Sequence, residues 1–478
     1  MRRSNLLLAV LVVVFASLCA GAFAHAQTTR PNIISIVTDD QAMWSIGAYG
    51  NTESRTPNMD RLAREGARFT NAFCATPVCS PSRASFLTGR WGTELGITDW
   101  ITNAEADAGV GLPPEVVTWP QVLKQNGYTT ALVGKWHLGH LPHFHPTKHG
   151  YDHFWGIIGG GAQAMNPQIE VNGKQQKLKG PTPDLTMDEA LRWMSEVKDK
   201  TFALSIHFRE PHLPYGPTPE EDSAPFKDLD PTIPDYKGLD PQWTKETYRR
   251  YYASVHSIDR NLGKLLAKLD ELKLAENTIV LFTSDHGYNI GQHGVYTKGN
   301  ASWILAGTRG PKRPNMFEES IRVPLIVRWP GVTKAGSTID APVSNIDTFA
   351  SICGLAGVTP PADPKQRGRD FSPFLRGEQP SEWRKEIFAQ YDLYHAGLAY
   401  MRMVRTDDWK LVRHHVTTGM NELYDLKNDP GETKNLYHDP ASRAARDDLQ
   451  ARLTAWEQSI DDPILKLDTR PIEPSPDQ

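Results

Sequence analysis

Four short apolar runs punctuate the chain: "NIISIV" (32–37), "TTALV" (129–133), "FALSIHF" (202–208) and "TIVLF" (278–282). None alternates strictly between apolar and polar residues. Continuous, β-rich runs of this length predict strands buried on both faces of a sheet. Each run ends in a polar, ionisable segment. The first meets Thr38-Asp39-Asp40, the second Gly134-Lys135-Trp136-His137, the third Arg209-Glu210-Pro211-His212, and the fourth Thr283-Ser284-Asp285-His286-Gly287. In open α/β sheets the ligand crevice lies beyond the carboxyl ends of the strands, so these four ends are expected to converge.

Between the strands the spacing changes to that of helices. Residues 186–198 predict a helix opened by a capping box, Thr186 with Glu189 three residues on, and residues 244–272 carry apolar positions at helical intervals. His256 on the second helix reads as a packed or solvated residue. The Pro-rich stretch 211–241 reads as an irregular surface excursion bordering a pocket. From about residue 385 the texture becomes that of antiparallel strands, with turn signals at Thr406-Asp407-Asp408 and Asn428-Asp429-Pro430-Gly431 and a helical pattern over 440–460. The expected organisation is an α/β catalytic domain over 27–380 and a smaller α+β subdomain over 381–478, whose tail at 470–478 is expected to be disordered.

The first 26 residues stand outside that plan. Arg2 and Arg3, an apolar run from Leu6 to Leu18 and Ala24-His25-Ala26 form a secretory signal with a small-residue cleavage site. Export to the periplasm or medium is expected, with no membrane attachment after cleavage. A formal charge of −4 and the absence of a basic block argue against a nucleic-acid partner. Of four cysteines, Cys19 leaves with the signal. The remaining three do not make a disulfide scaffold, and whether Cys74 and Cys353 pair is open.

Candidate chemistry collects at the strand ends. Asp39-Asp40 and Asp285-His286 supply carboxylate and imidazole ligands for one divalent cation; the carboxylates favour calcium or magnesium, and the histidine leaves manganese or zinc open. Without a counter-ion such clustered carboxylates would repel one another. "CSPSR" (79–83) adds an anion site. Pro81 suits a first helical turn, Ser80 is a candidate cap and Gly89 a terminator, so Cys79 would sit at an amide-rich helix start with Arg83 one turn on. With Lys135, Lys298 and the histidines, the site favours a tetrahedral oxyanion. On chemistry alone Cys79 is either an activated thiolate or a half-buried structural cysteine.

"CSPSRASFLTGR" resembles the C-x-P-x-R motif of type I sulfatases. The similarity runs through nearly the whole mature chain, in "PNIISIVTDD", "GKWHLG", "PHLPY", "TSDHG" and the terminal "WKLV", "ELYDL" and "DPGET". The resemblance implies an alkaline-phosphatase-like α/β fold: a large central, mixed but mostly parallel sheet flanked by helices, plus a small C-terminal antiparallel sheet with a helix. It implies that a formylglycine-generating maturation enzyme converts Cys79 to formylglycine. It also implies that Asp39, Asp40, Asp285, His286 and the modified Cys79 hold a cation, usually calcium. By the same resemblance Arg83 steadies the aldehyde hydrate, Lys135 and Lys298 hold sulfate oxygens, His137 contacts the hydroxyl that does not attack, and His212 protonates the leaving alcohol. One hydroxyl of the hydrate would attack sulfur, and the other would then collapse to the aldehyde and expel sulfate.

The expected substrate class is sulfated carbohydrate. Alternatives are a phosphonate or phosphate ester hydrolase of the same superfamily and a non-catalytic binder of sulfated glycans. Around this centre, His207 reads as structural, His293 as a candidate substrate contact, and the His-rich stretch 140–150 as a rim loop rather than a metal site. Residues 299–315, with Arg309, Lys312 and Arg313, and the loop around His395 are candidate shapers of a sugar site.

Overall fold

The computed structural model describes residues 30–171, 173–395, 397–415 and 420–467. The expected signal segment and the tail at 470–478 lie outside the described residues. The four apolar runs form strands Asn32–Asp39 (β1), Thr129–Lys135 (β2), Phe202–Pro211 (β3) and Thr278–Ser284 (β4). They lie side by side at the centre of a ten-stranded sheet in the order β4-β1-β3-β2, all parallel. Ile36 pairs in register with Ile206 on one side and Phe282 on the other, so the polar residues after each run emerge at one edge. Leu325–Arg328 runs antiparallel to β4 and carries Ala67–Phe69 and Ser337–Ile339 beyond it; His153–Ile157 runs parallel to β2 and carries the hairpin Gln168–Val171 and Lys174–Lys177.

Two apolar clusters sandwich this sheet, which is why the central strands lack alternation. Ile33, Val37, Leu132, Ala203, Ile279 and Leu281 face one; Ile34, Ile36, Val133, Leu204, Ile206, Val280 and Phe282 face the other. The second is closed by helix Pro241–Glu271, roughly 46 Å long at 1.5 Å per residue. Its buried stripe includes Tyr251, Val255, Ile258, Leu262, Leu265 and Leu269, the aliphatic members contributing about 1.5–3 kcal/mol each when fully buried. His256 on its flank contacts Asp222 (3.0 Å). Thr186 does not open its helix as the sequence predicts. That helix spans Thr182–Glu196; the Thr186 hydroxyl donates to Thr182 O (2.9 Å), and Glu189 is taken by Arg192 and His153. Pro183 fits the first turn, where a missing N–H costs nothing, and moves the start forward by a turn.

Strands Ile387–Leu393, Ala399–Arg405, Trp409–His414 and Glu422–Asp425 form a separate antiparallel meander. Its two-residue period explains its place. Ile387, Ala389, Tyr391 and Leu393 join the core of the large sheet, while Val404, Leu411 and Leu423 pack on Leu449, Leu453 and Trp456 of helix Arg443–Ser459. Tyr391, midway along the first strand, thereby points toward the large domain.

Candidate active site

β1 delivers Asp39 at its end, and Asp40 follows in a left-handed conformation (φ 67°). That turn is what lets two adjacent carboxylates face one point instead of opposite faces of a strand. β4 delivers the other pair in register: Asp285 N donates to Thr38 O (3.0 Å), and Asp40 N donates to Asp285 Oδ1 (3.3 Å). His286 Nε2 stands 3.4 Å from both Asp40 Oδ1 and Asp285 Oδ1. All four side chains are essentially excluded from solvent.

Helix Cys79–Thr88 points its start at this group and ends at Gly89 (φ 66°). Val78, not Ser80, occupies the cap position; Ser80 Oγ instead accepts from Ile101 N (3.0 Å), and Ser82 Oγ donates to Asp285 O. Cys79 Sγ lies 3.5 Å from Asp39 Oδ1, 3.5 Å from His286 Nε2 and 3.1 Å from Lys298 Nζ. Arg83, one turn on, puts its guanidinium against Asp285 Oδ2 at 3.0 Å. From the end of β2 comes Lys135, 2.5 Å from Asp39 Oδ2, and from just after the short strand Val295–Thr297 of a separate sheet comes Lys298, 2.6 Å from Asp40 Oδ1. His212 Nδ1 bonds Leu213 O (2.7 Å), which directs Nε2 toward Asp40 Oδ2 at 3.9 Å. His137, also left-handed (φ 62°), bonds Ile101 O through Nε2 at 3.0 Å. The ten candidate residues therefore occupy one centre.

Ligand-type atoms of Asp39, Cys79, Asp285 and His286 lie within 4.8 Å of one another, and so do those of Asp39, Asp40, Cys79 and His212. Burial would raise Asp39, but Lys135, His212, Arg83 and Lys298 hold it well below the usual carboxylate range. The Cys79 thiol is likewise raised by burial and by Asp39, yet Lys135, Lys298 and His286 bring it down to about 6. The centre therefore stabilises negative charge at the position of Cys79, with cations on several sides.

One supporting residue, Asn345, carries no sequence signal of its own, and the others take places around the centre that only the fold assigns. Asn345 donates to Ser82 Oγ (2.7 Å) and so braces the helix that starts at Cys79. Arg209, buried at the end of β3, donates to Pro214 O (2.9 Å) and thereby holds the loop that bears His212. His207 sits behind the centre, with Nδ1 3.2 Å from Lys135 O; burial and Arg83 depress it to about 3, so it stays neutral. His293 is engaged elsewhere: its ring stacks on Phe317 at 3.7 Å, and Nε2 meets Glu319 at 3.0 Å. In the 140–150 loop, His140 pairs with Asp107 and His145 with Glu170, and among the described residues no metal-like grouping includes them. Cys74 and Cys353 are separate buried thiols.

The sequence of this chain matches two family descriptions, Sulfatase over residues 31–358 and N-sulphoglucosamine sulphohydrolase, C-terminal, over 311–459. It is 30% identical to an N-acetylglucosamine-6-O-sulfatase of Bacteroides thetaiotaomicron, across 91% of this chain and 87% of that protein. It is also 30% identical to an ulvan-active sulfatase of Formosa agariphila, across 92% and 84% of the two. A solved structure in complex with its substrate D-glucosamine-2-N,6-O-disulfate superposes with a TM-score of 0.80 at 28% identity, covering 91% of this chain and 99% of that one. A phosphonate monoester hydrolase of Agrobacterium radiobacter shares the fold, with a TM-score of 0.67 at 22% identity over 90% and 96% of the two chains.

Proposed function

Because the chain belongs to the sulfatase family, sulfuric ester hydrolases of the alkaline phosphatase superfamily, we propose that it is an exported enzyme that removes sulfate from sulfated carbohydrate through a formylglycine formed at Cys79. The observation that carries this reading is the placement of Cys79: at the first turn of a buried helix, within 3.5 Å of Asp39, His286 and Lys298. A thiol has no second hydroxyl with which to release a bound sulfuryl group, whereas an aldehyde hydrate at that position would supply one hydroxyl to attack and another to expel sulfate.

The donor set fits a divalent cation. Three buried carboxylates and an imidazole converge, and hard oxygen ligands in that number favour calcium over softer ions. Asp39, Asp40, Asp285 and His286 would hold it, together with position 79. Once bound, the cation would acidify the attacking hydroxyl and offset charge on the sulfuryl oxygens.

The remaining work falls to protein side chains already in place. Lys135, beside Asp39, and Lys298, beside Asp40, bring ammonium groups to the centre and bind sulfate oxygens as negative charge spreads over them. Arg83, pinned by Asp285, keeps the helix start and the carboxylates in fixed relation. His137 stays neutral, because burial and Lys135 hold its imidazole well below the usual range; Nε2 donates its proton to Ile101 O (3.0 Å), which leaves Nδ1 to accept from the hydroxyl that does not attack. His212 turns Nε2 toward the centre; burial works against its charged form while Asp40 and Asp39 favour it, and as the imidazolium it would pass its Nε2 proton to the departing alcohol.

The names of the relatives support a sulfated glycan as substrate, and the N-terminal pattern supports a periplasmic or secreted location. We assign catalysis to residues 27–380; the meander of the C-terminal subdomain closes one side of the site through Tyr391 and the loop beyond it. The decisive experiment pairs mass analysis of tryptic peptide 69–83 with a sulfate-release panel. The mature protein is expected to show an aldehyde at Cys79 and an alkylatable thiol at Cys74, and to release sulfate from sulfated saccharides. An intact thiol at Cys79 in fully active material would refute the formylglycine reading. Faster turnover of an aryl phosphonate monoester than of any sulfate ester would favour phosphoryl chemistry.

A further inference from the structure

Three loops distant in sequence meet beside the nucleophile helix. The hub is Asp99, whose fully buried carboxylate accepts from Tyr391 Oη (2.9 Å), Tyr394 N (3.0 Å) and His395 N (3.1 Å). The His395 ring lies 4.6 Å from the Trp100 ring; its Nδ1 is 3.2 Å from Asp99 and its Nε2 3.0 Å from Glu105. With a carboxylate beside each nitrogen, the imidazole is confined next to the indole, the two ring planes tilted by 45°. Tyr394 donates to Glu105 (2.9 Å) and remains 45% exposed, and Leu398 nearby is 55% exposed. Trp100 is half-buried.

This wall adjoins the reaction centre directly. Ile101, the residue after Trp100, bonds both Ser80 and His137. Lys312, from the hairpin Ser302–Leu305 and Thr308–Lys312, borders the same loop: a Cβ at Gly397 would meet the Lys312 stem at 3.6 Å. Among the described residues its ammonium has a single acceptor, Asn300 O at 2.9 Å, leaving two donors for another group. The other cations of that hairpin are committed elsewhere. Arg309 lies 4.7 Å over the Tyr296 ring, and Arg313 pairs with Glu422 at 3.2 Å.

We infer that Trp100 and His395 form the face on which the pyranose ring of the substrate rests, with Lys312 binding a second anionic group, a carboxylate or further sulfate, on the same saccharide. The chemistry is that of carbohydrate recognition: flat rings for the apolar C–H face of a sugar, and fixed polar edges for its hydroxyls. An aryl sulfate reaches the nucleophile without needing this wall. The inference rests on the sulfatase reading and deepens it by assigning the residues that select the substrate.

The test compares kcat/KM on a sulfated saccharide with kcat/KM on 4-nitrophenyl sulfate for the mature wild type, W100A, W100F, H395A and K312M. The ratio of saccharide to aryl activity is expected to fall by roughly tenfold or more in W100A and H395A. W100F, which keeps a flat ring, is expected to recover most of it. K312M is expected to lower the ratio only for saccharides carrying a second anionic group. Equal losses on both substrates, or an unchanged ratio in W100A and H395A, would overturn the inference while leaving the sulfatase reading intact. Wild type inactive on every sulfate ester would instead overturn the sulfatase reading, and the inference with it.

Discussion

Replacing His212 with alanine separates the proton-delivery role from every other role in the site. The imidazole is poised by one bond: Nδ1 donates to Leu213 O at 2.7 Å, so Nε2 is the atom turned toward Asp40 and the centre. The side chain is 27% exposed, so truncation also removes packing, a loss that both substrates would feel alike. General acid catalysis contributes about 10²–10⁴-fold, or about 3–5 kcal/mol of barrier. That contribution depends on the leaving group. A sugar alkoxide is too basic to depart unprotonated, whereas 4-nitrophenolate leaves as the anion. H212A is therefore expected to lower kcat/KM on a saccharide sulfate by about 10²–10⁴-fold and on 4-nitrophenyl sulfate by less than about tenfold. The assay is sulfate release under kcat/KM conditions for both substrates, using protein with equal formylglycine content. Equal losses on the two, or undiminished saccharide turnover, would refute the assignment of His212 as the acid.

Chelation followed by calcium titration is expected to raise the unfolding temperature of the wild type, with a stabilisation of about 2.7 kcal/mol at a hundredfold excess over Kd, and to leave D285N unshifted by calorimetry. Glu422 is buried; burial would raise it, but His414, Arg313 and Tyr424 bring it from the ordinary 4.5 to about 2. A depressed carboxylate stabilises the fold above its ordinary value and loses that contribution as pH falls through the folded one. E422Q should thus cost about 3 kcal/mol in urea unfolding at neutral pH, with the difference from wild type shrinking as pH drops below 4.5. Arg402, buried between Asp392 and Asp462 at 2.6 Å each, leaves two carboxylates unpaired when replaced. R402M is expected to destabilise by about 3–5 kcal/mol, read as a lower unfolding temperature with unchanged formylglycine content.

The central strands could be read from the chain because burial on both faces demands uninterrupted apolar residues, and the C-terminal meander because polar residues such as Gln390, Asp392 and Arg402 alternate with the apolar ones that join the large core. Local rules failed where tertiary partners overrode them. Thr186 and Glu189 have capping-box spacing, but the helix begins a turn earlier, and those side chains serve Thr182, Arg192 and His153. Ser80 has a capping residue's identity but commits its hydroxyl to Ile101. The basic residues at 309–313 look alike in sequence. Only the fold sends Arg309 to Tyr296 and Arg313 to Glu422 while leaving Lys312 beside the His395 loop.

The sequence by itself determined which residues could carry the chemistry: carboxylates, imidazoles and ammonium groups placed just after apolar runs, and a cysteine at a helix start. Those features are local, because side-chain chemistry and strand propensity are written residue by residue. The tertiary structure alone decided their arrangement. Parallel pairing of β4 with β1 brings Asp285, 245 positions away, to within 3.3 Å of Asp40, and the left-handed turn at Asp40 aims adjacent carboxylates at one point. It also decided the wall of Trp100, His395 and Lys312, since a contact among three separate loops depends on how every intervening element packs.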